Sequence, residues 1–326
     1  MSPARSQVTH DMLRAALSTT LETTSFEGLG ERYEGKVRDN YSTSDGRRTI
    51  VVTDRISAFD RVIGTLPFKG QVLNRIACWW FDQSKAVAPN HMLRLVDPAV
   101  IEVVECQPLA VEMIVRAYLT GVTSTSVWTH YKQGARVFCG HKLPDGLREN
   151  EKLPKPILTP STKAAKGGHD VSASREEILA MGQITAADFD AAAEMSMALF
   201  AFGQKLCHER GLILVDTKYE FGRTPDGRIV VIDEIHTPDS SRFWFEGTYG
   251  ERMARGERPD SFDKEYVRRW LSAQGFSGDG PIPVIPDDVR IEAASRYIET
   301  YETITGEPFV PDTSSPIERI RRNLRL

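Results

Sequence analysis

The chain has 326 residues, with 41 Lys and Arg against 45 Asp and Glu, for a net charge of −4. Its 40% hydrophobic and 26% charged content excludes a disordered or collagen-like chain, and about 150 residues per domain suggests two domains. The charge balance argues against broad electrostatic binding of nucleic acid, no apolar run reaches the ~18 residues of a membrane span, and Met1–His10 lacks the apolar core of a secretion signal.

In chain order, residues 9–24 are predicted as an amphipathic helix with Met12, Leu17 and Leu21 on one side. From Tyr33 to Phe68 the pattern changes to short strands, among them Thr49–Thr53 after the Asp45-Gly46 turn. A helix is expected from Val72 to about Ala86, then strands over Val100–Val104 and Leu109–Tyr118. Gly140–Asp170 holds Pro144, Pro154, Pro156 and Pro160 and reads as a long loop, a kind that usually serves a site. Thr185-Ala-Ala-Asp188 resembles a capping box with Asp in place of Glu, and Gly211 stands where a helix C-cap glycine belongs. Two strands follow, Leu212–Phe221 and Arg228–Ile235, joined through Pro225-Asp226-Gly227. Further helices are expected near 262–274 and 287–304. The basic stretch Ile317–Arg325 reads as an amphipathic helix that packs either on its own subunit or on another. The four cysteines, Cys78, Cys106, Cys139 and Cys207, match no zinc or redox spacing and are expected to be reduced, which points to the cytoplasm.

Two places carry chemistry. On the strand 212–221, Asp216, Lys218 and Glu220 share one face. Counting back from the turn puts Glu220 roughly opposite Asp233 or one diagonal away, at the end of the apolar run Ile229–Ile232. Like charges so placed destabilise a sheet unless a cation compensates. Solvated strand ends are one reading. Hard-oxygen ligands for Mg²⁺, completed by phosphate and water, are the other. Near the N-terminus, Gly30-Glu-Arg-Tyr-Glu-Gly35-Lys36 begins like a P-loop, but Val37 stands where Ser or Thr belongs, and strands follow instead of a helix. Gly35-Lys-Val-Arg-Asp39 puts Lys36 and Arg38 on one face of a strand, suited to nucleotide phosphates. A plain exposed basic strand fits these five residues equally well.

Six segments in order resemble the SAICAR synthetase (phosphoribosylaminoimidazole-succinocarboxamide synthase) family. They are Gly35–Asp39, Thr53-Asp-Arg-Ile-Ser-Ala58, Val111-Glu-Met-Ile-Val-Arg116, Thr159-Pro-Ser-Thr-Lys163 with Gly168-His-Asp170, Asp216-Thr-Lys-Tyr-Glu-Phe-Gly222, and Asp233-Glu-Ile-His-Thr-Pro-Asp-Ser-Ser-Arg-Phe-Trp244. The resemblance covers about 30–305. It implies an α+β fold, with an antiparallel kinase-like N-terminal half over 1–115 and an ATP-grasp-like half over 116–326, and ATP in the cleft between them. It implies a cytoplasmic ligase of de novo purine synthesis. ATP, L-aspartate and carboxyaminoimidazole ribonucleotide would give the succinocarboxamide, ADP and phosphate through an acyl phosphate. Neither nucleic acid nor membrane is an expected partner, and the oligomeric state stays open between monomer and homodimer.

Carried over by position, Gly35, Lys36 and Arg38 look like ATP contacts, with Glu112 in the same cleft. Glu220 and Asp233 look like nucleotide and Mg²⁺ carboxylates. Arg116, Lys218, Asp239, Ser241 and Arg242 look like the ribonucleotide pocket, and Asp170 resembles an acid near a second Mg²⁺. Lys218, Asp170 and Arg242 are the expected catalytic set. Phosphoryl transfer needs positioning and charge neutralisation more than a nucleophilic side chain, so this inventory suits it. Either Ser124 or Ser126 would contact substrate. His236 is a candidate base or simply a loop histidine held by its neighbours. Part of the 140–170 loop is expected to meet L-aspartate. The rival readings are another carboxylate–amine ligase, a kinase-like phosphotransferase and a non-catalytic nucleotide-binding protein. The second would carry His-Arg-Asp and Asp-Phe-Gly motifs, which the chain lacks.

Overall fold

In the computed structural model, which describes residues 7–59, 61–123, 125–163, 170–261 and 265–326, the first helix stops earlier than its amphipathic pattern predicts. Thr9 caps α1 (His10–Ala16), and one 3-10 turn, Leu17–Thr19, ends it. Beyond it the chain is extended because buried carboxylates take its amides. Asp54 accepts from Leu21 N at 2.7 Å and Asp39 from Thr24 N at 2.6 Å.

The strand-rich region is built from β1 (Glu31–Glu34), β2 (Arg38–Ser42), β3 (Arg47–Val52), the separate hairpin β4 (Arg55–Ala58) and β5 (Arg61–Thr65), then β6 (Met92–Asp97) and β7 (Val100–Val104). Five of these form an antiparallel sheet in the order β1-β2-β3-β7-β6. Between β5 and β6, α2 (Lys69–Gln83) packs on β3, β6 and β7. Its first turn has no side-chain cap from Phe68. Asp54 supplies one from β3's far end, accepting from Gly70 N at 2.8 Å.

The second sheet is organised by two long strands. β8 (Gln107–Tyr118) leads to α3 (Val127–Lys132), β9 (Val137–Phe138), β10 (His141–Lys142), β11 (Lys152–Leu158), β12 (Ser161–Thr162), α4 (Arg175–Ala180) and α5 (Ala186–Glu209). β13 (Leu212–Arg223), β14 (Ile229–Ile232) and β15 (Ser241–Phe245) follow. β11-β8-β13-β14 run side by side and antiparallel, with β12 on β8 and β15 on β13. The change of sheet falls between Val104 and Gln107, and residue 115 lies inside β8. α5 covers one face of this sheet. Thr185 accepts from Asp188 N at 3.1 Å, but Asp188 pairs with Arg223 instead of reaching back, so only half of the expected capping box forms. The complete box is Ser174 with Glu177, which starts α4. Gly211 takes φ +71 just past α5, as its position predicts.

Residues 140–163 are not the open loop their prolines suggest. They form β10, β11 and β12, and Phe138, Leu143, Leu153 and Ile157 close a small core with Leu119, Val127 and Tyr131. Pro154 and Pro156 fit because β11 is an edge strand with an irregular register between Lys152 and Ile157.

The C-terminal region adds α6 (Glu246–Ala254), α7 (Glu265–Ala273), α8 (Asp287–Thr305) and α9 (Pro316–Leu324). The first residues of the helix expected over 262–274 lie outside the described residues. α8 packs on α2. α9 lies on its own chain, with Ile320 buried among Leu21, Phe26, Tyr41, Val51 and Val100. Arg319 of α9 is buried against Asp97, Nε to Oδ2 at 2.9 Å and Nη2 to Oδ1 at 3.2 Å. Removing one partner of such a buried pair strands the other charge, a cost of about 3–5 kcal/mol. Arg319→Ala should therefore lower unfolding stability by about that amount in a urea titration, and Arg319→Lys, which keeps the charge but loses the fork, by less. A loss below ~1 kcal/mol for the alanine variant would show that α9 is not anchored through this pair.

Candidate active site

On the face of β8 and β13 turned away from α5, charged residues stand in a row. The register sets Glu112 opposite Glu220, Ile114 opposite Lys218 and Arg116 opposite Asp216. The other face carries Val111, Met113, Val115 and Tyr219 into the core. Two glutamates directly across a strand pair repel, and Lys218 offsets this. Its Nζ lies 3.2 Å from Glu112 Oε1, also bonds Glu220 Oε1, and is 3.8 Å from Asp233 Oδ2. Lys163, just past β12, holds the other oxygen of Glu220. Burial pushes Glu220 up, but the Lys218 and Lys163 ammoniums outweigh it and hold the carboxyl well below the usual carboxylate range. Burial raises Glu112, and Lys218 offsets that only in part. Burial works against the charge on Lys218, yet Glu220 and Glu112 raise it above the ordinary lysine range.

The hairpin register selects the second of the two alignments that the turn count allows. Glu220 faces Ile232 on β14, so Asp233 is its diagonal neighbour, and the acid directly opposite is Glu112 from β8. Asp233 is the first residue past β14 and takes φ +64, which turns the chain into the loop 234–240. Arg38 reaches this loop from the five-stranded sheet, pairing with Asp233 and, at 2.7 Å, with Glu234 Oε1. Its guanidinium is thus engaged by acids. Lys36 is not on a strand with Arg38: Gly35–Val37 form the turn between β1 and β2, closed by Gly35 N to Arg38 O at 2.8 Å. Buried Arg55 grips that turn from below, with Nε on Lys36 O at 2.9 Å and Nη2 on Gly35 O at 3.1 Å. Between turn, sheet and hairpin lies a cavity of about 370 Å³, with Lys36, Arg38, Asn40, Glu220 and Asp233 on its polar side and Ile50, Val103, Val104 and Ile232 on its apolar side.

The far end of the row is an arginine cluster. Asp216 Oδ2 accepts from Arg116 Nη1 at 3.2 Å and from Arg242 Nη1. Arg116 is buried, with Nε on Thr159 Oγ1 at 2.9 Å and Nη2 on Thr125 O at 3.2 Å. Arg242 borders a recess of about 80 Å³ with Gly121, Trp244, Arg258 and Arg269. Gly121 has φ +105, and a Cβ there would meet Ser126 Oγ at 2.4 Å, so the chain needs glycine to pass between Ser126 and Arg242.

Most of the other expected residues bond within the protein. Ser126 Oγ accepts from Thr123 N at 3.0 Å and fastens its own turn; Ser124 lies outside the described residues, as do Gly167, Gly168 and His169. Asp170 is exposed, one residue before Val171, whose amide bonds Thr162 Oγ1 at 3.0 Å. Ser241 Oγ donates to Thr217 Oγ1 at 2.7 Å. Asp239 bonds Lys69 and Tyr297. His236 is fully buried, and burial pushes it down to about 3, with Nε2 at the Tyr219 hydroxyl; it is a core histidine and not a base open to substrate. Sequence reasoning assigns no site role to Lys163, Asp216, Glu234 or Arg55, although all four lie inside the matched segments and Asp216 and Glu234 stand within two residues of an assigned one. Among the described residues, no three His, Cys, Asp or Glu side chains are grouped closely enough to hold a metal by themselves.

Comparison with known proteins places the chain among its relatives. The family model for SAICAR synthetase matches residues 31–280. A putative phosphoribosylaminoimidazole-succinocarboxamide synthase 2 of Mesorhizobium japonicum is 50% identical over 90% of this chain and 94% of its own length. The phosphoribosylaminoimidazole-succinocarboxamide synthase of Legionella pneumophila (strain Lens) is 46% identical over 91% of this chain and 95% of its own length. Among solved structures, the SAICAR synthase of Saccharomyces cerevisiae complexed with SAICAR superimposes with a TM-score of 0.76 at 30% identity, covering 90% of this chain and all of that one.

The Glu112–Lys218–Glu220 arrangement generates a pH prediction. In Lys218→Met the two glutamates face each other with only Lys163 near, so one of them takes up a proton more readily than in the unfolded chain. A carboxyl with a raised folded pKa stabilises below that pKa and loses the contribution as pH rises through it. The melting temperature of the ligand-free variant should therefore fall, relative to the parent, from pH 5 toward pH 8, about the window a raised carboxyl would titrate in. Because the Lys218 side chain is 31% exposed, the loss should stay below the ~3–5 kcal/mol of a fully buried pair. A difference in melting temperature that does not change with pH would mean Lys218 does not separate the two acids.

Proposed function

The chain belongs to the SAICAR synthetase family and is an ATP-dependent ligase that joins L-aspartate to carboxyaminoimidazole ribonucleotide in purine biosynthesis; from that premise we propose how its own side chains divide the work. The observation that carries the assignment is the single charged row on β8 and β13. Its acidic end, Glu112 and Glu220, and its arginine end, Arg116 and Asp216, are four residues apart along each strand, or about 13 Å. A ribonucleotide laid along this row has its phosphate at one end and its imidazole carboxylate near the other.

The five-stranded sheet then serves as a kinase-like nucleotide half, 1–115, and the second sheet as an ATP-grasp-like substrate and metal half, 116–326. β8 crosses that division and contributes Glu112 on one side and Arg116 on the other. The 370 Å³ cavity takes ATP: its apolar wall of Ile50, Val103 and Ile232 suits a flat base, and Gly35 and Lys36 turn toward its polar side. Arg38, held on Asp233 and Glu234, fastens the nucleotide half to the catalytic loop and lies beside the phosphates. At the other end Arg116 and Arg242 grip the ribose phosphate, for which a planar fork is better suited than an ammonium. Asp216 accepts from both and sets their orientation. Ser241 lies next to Arg242 on the same strand end.

The donor set fits Mg²⁺. Glu220, Asp233 and the more exposed Asp170 offer hard oxygens, and one or two carboxylates with phosphate and water are what this ion takes. Glu220 and Asp233 would hold one ion and Asp170 a second, and the bound metal supplies charge neutralisation at the transferring phosphoryl group. The lysines on Glu220 are the counter-charges such acids need when alone. Lys218, freed to turn along the row, meets the substrate carboxylate. Transfer of the γ-phosphoryl to that carboxylate gives an acyl phosphate and ADP; the aspartate amine attacks the acyl carbon and phosphate departs. Positioned cations do most of this work.

Two measurements test the scheme. An ADP-release assay with each substrate omitted in turn should give turnover only with ATP, L-aspartate and the ribonucleotide together. In it, Glu220→Gln and Asp233→Asn should each lose ~10²-fold or more in Mg²⁺-dependent rate while remaining folded, and near-parental turnover in both would sink the metal assignment. Separately, Arg242→Lys keeps charge and loses the fork. Titrations should show ribonucleotide affinity falling well before ATP affinity, and the reverse order would move Arg242 to the nucleotide.

A further inference from the structure

Lys69 opens α2 and is completely buried, an expensive position for an ammonium. Its Nζ lies 2.8 Å from Asp239 Oδ2 and 5.5 Å from the centre of the Tyr297 ring. The Tyr297 hydroxyl donates to the other oxygen, Asp239 Oδ1. Each oxygen of Asp239 is therefore held from within the protein, one from α2 and one from α8, two helices that pack against each other. A buried pair of this kind adds little net stability against an apolar alternative. What it fixes is the position of the loop that carries Asp239.

That loop leads from Asp233 to Ser241 and is stiffened throughout. Thr237 Oγ1 donates to Glu234 Oε2 at 2.6 Å and accepts from Asp239 N at 3.3 Å. Ser241 N reaches Thr237 O at 2.9 Å, and Lys218 N reaches Ser240 O at 3.0 Å. A displacement of Asp239 would carry with it Asp233 and Glu234 at one end, and Ser241 and Arg242 at the other. The helix start that bears Lys69 is itself set by Asp54, which accepts from Gly70 N at 2.8 Å.

We propose that Lys69 and Tyr297 are positioning residues of the ligase reaction: by holding the two oxygens of Asp239 they set the loop 233–241, so that Asp233 and Arg242 meet their ligands in register. Asp239 thereby acts on the site through its loop. This rests on the reading of Asp233 and Arg242 given above.

Tyr297→Phe is the decisive variant, because it removes one hydroxyl and keeps the ring over Lys69. A double variant, Lys69→Met with Asp239→Asn, removes both buried charges together and strands neither. Rates are measured well below each melting temperature, with kcat, KM for each substrate and the Mg²⁺ concentration for half-maximal rate as readouts. Misplacement of a reacting group by about 1 Å can cost ~10²-fold. Tyr297→Phe should lose about tenfold or more in kcat/KM for the ribonucleotide and need more Mg²⁺, with KM for ATP moving least. The double variant should shift in the same direction. A purely structural role would lower the melting temperature and leave these constants of the folded enzyme alone. Unchanged kinetic constants and Mg²⁺ dependence in Tyr297→Phe overturn the proposal, whatever its melting temperature, and this holds also if the double variant does not fold. Asp233→Asn and Arg242→Lys are assayed alongside. If those two are silent, the reading of the site has failed; if they lose activity and Tyr297→Phe does not, only the positioning role has failed.

Discussion

Two glutamates face each other across β8 and β13, and the sheet accommodates them because Lys218 lies between them with Lys163 alongside. Like charges at that register repel, so the strands could pair there only with a cation in place. The same register then dictates the rest of the row. Once Glu112 meets Glu220, Arg116 must meet Asp216, and β15 adds Arg242 to the same carboxylate. The acidic and basic ends of the site are thus a consequence of one strand alignment. The lysines compensate the acids where the two strands bring them together.

Other buried or half-buried ion pairs join parts of the chain that sequence separates. Arg38 ties the five-stranded sheet to the loop after β14. Arg55 with Asp39 sets the Gly35–Val37 turn over the cavity. Lys69 with Asp239 links α2 to the loop between β14 and β15, and Arg319 with Asp97 fastens the C-terminal helix. A hydrophobic core is non-directional and tolerates small displacements. Charge-assisted hydrogen bonds have defined geometry, so the polar pairs specify where the loops of the site stand, on a frame built by the apolar faces of α2 and α5.

Much of the frame was legible from local pattern. β3, β7, β8, α5 and α8 lie close to where periodicity, turn residues and the Gly211 cap put them. The errors came where distant groups intervene. The first helix ends at Ala16 because Asp54 and Asp39 capture the amides of Leu21 and Thr24. The proline-rich stretch 140–163 became strands because β8 offered it an edge. Lys36 proved to sit in a turn because the register of β1 with β2 closes at Gly35.

For the site, the sequence determined which residue types were available and that Asp216, Lys218 and Glu220 share a face, since strand geometry alternates side chains without regard to context. The resemblance in six ordered segments determined the family. Only the tertiary structure decided which acid opposes which, because register between β8 and β13 joins residues a hundred positions apart and no local rule counts across that gap. It alone removed His236 from the candidate bases by burying it, and it alone tied Asp239 to Lys69 and Tyr297. Burial and cross-chain pairing are properties of the folded surface as a whole, and a one-dimensional pattern holds neither.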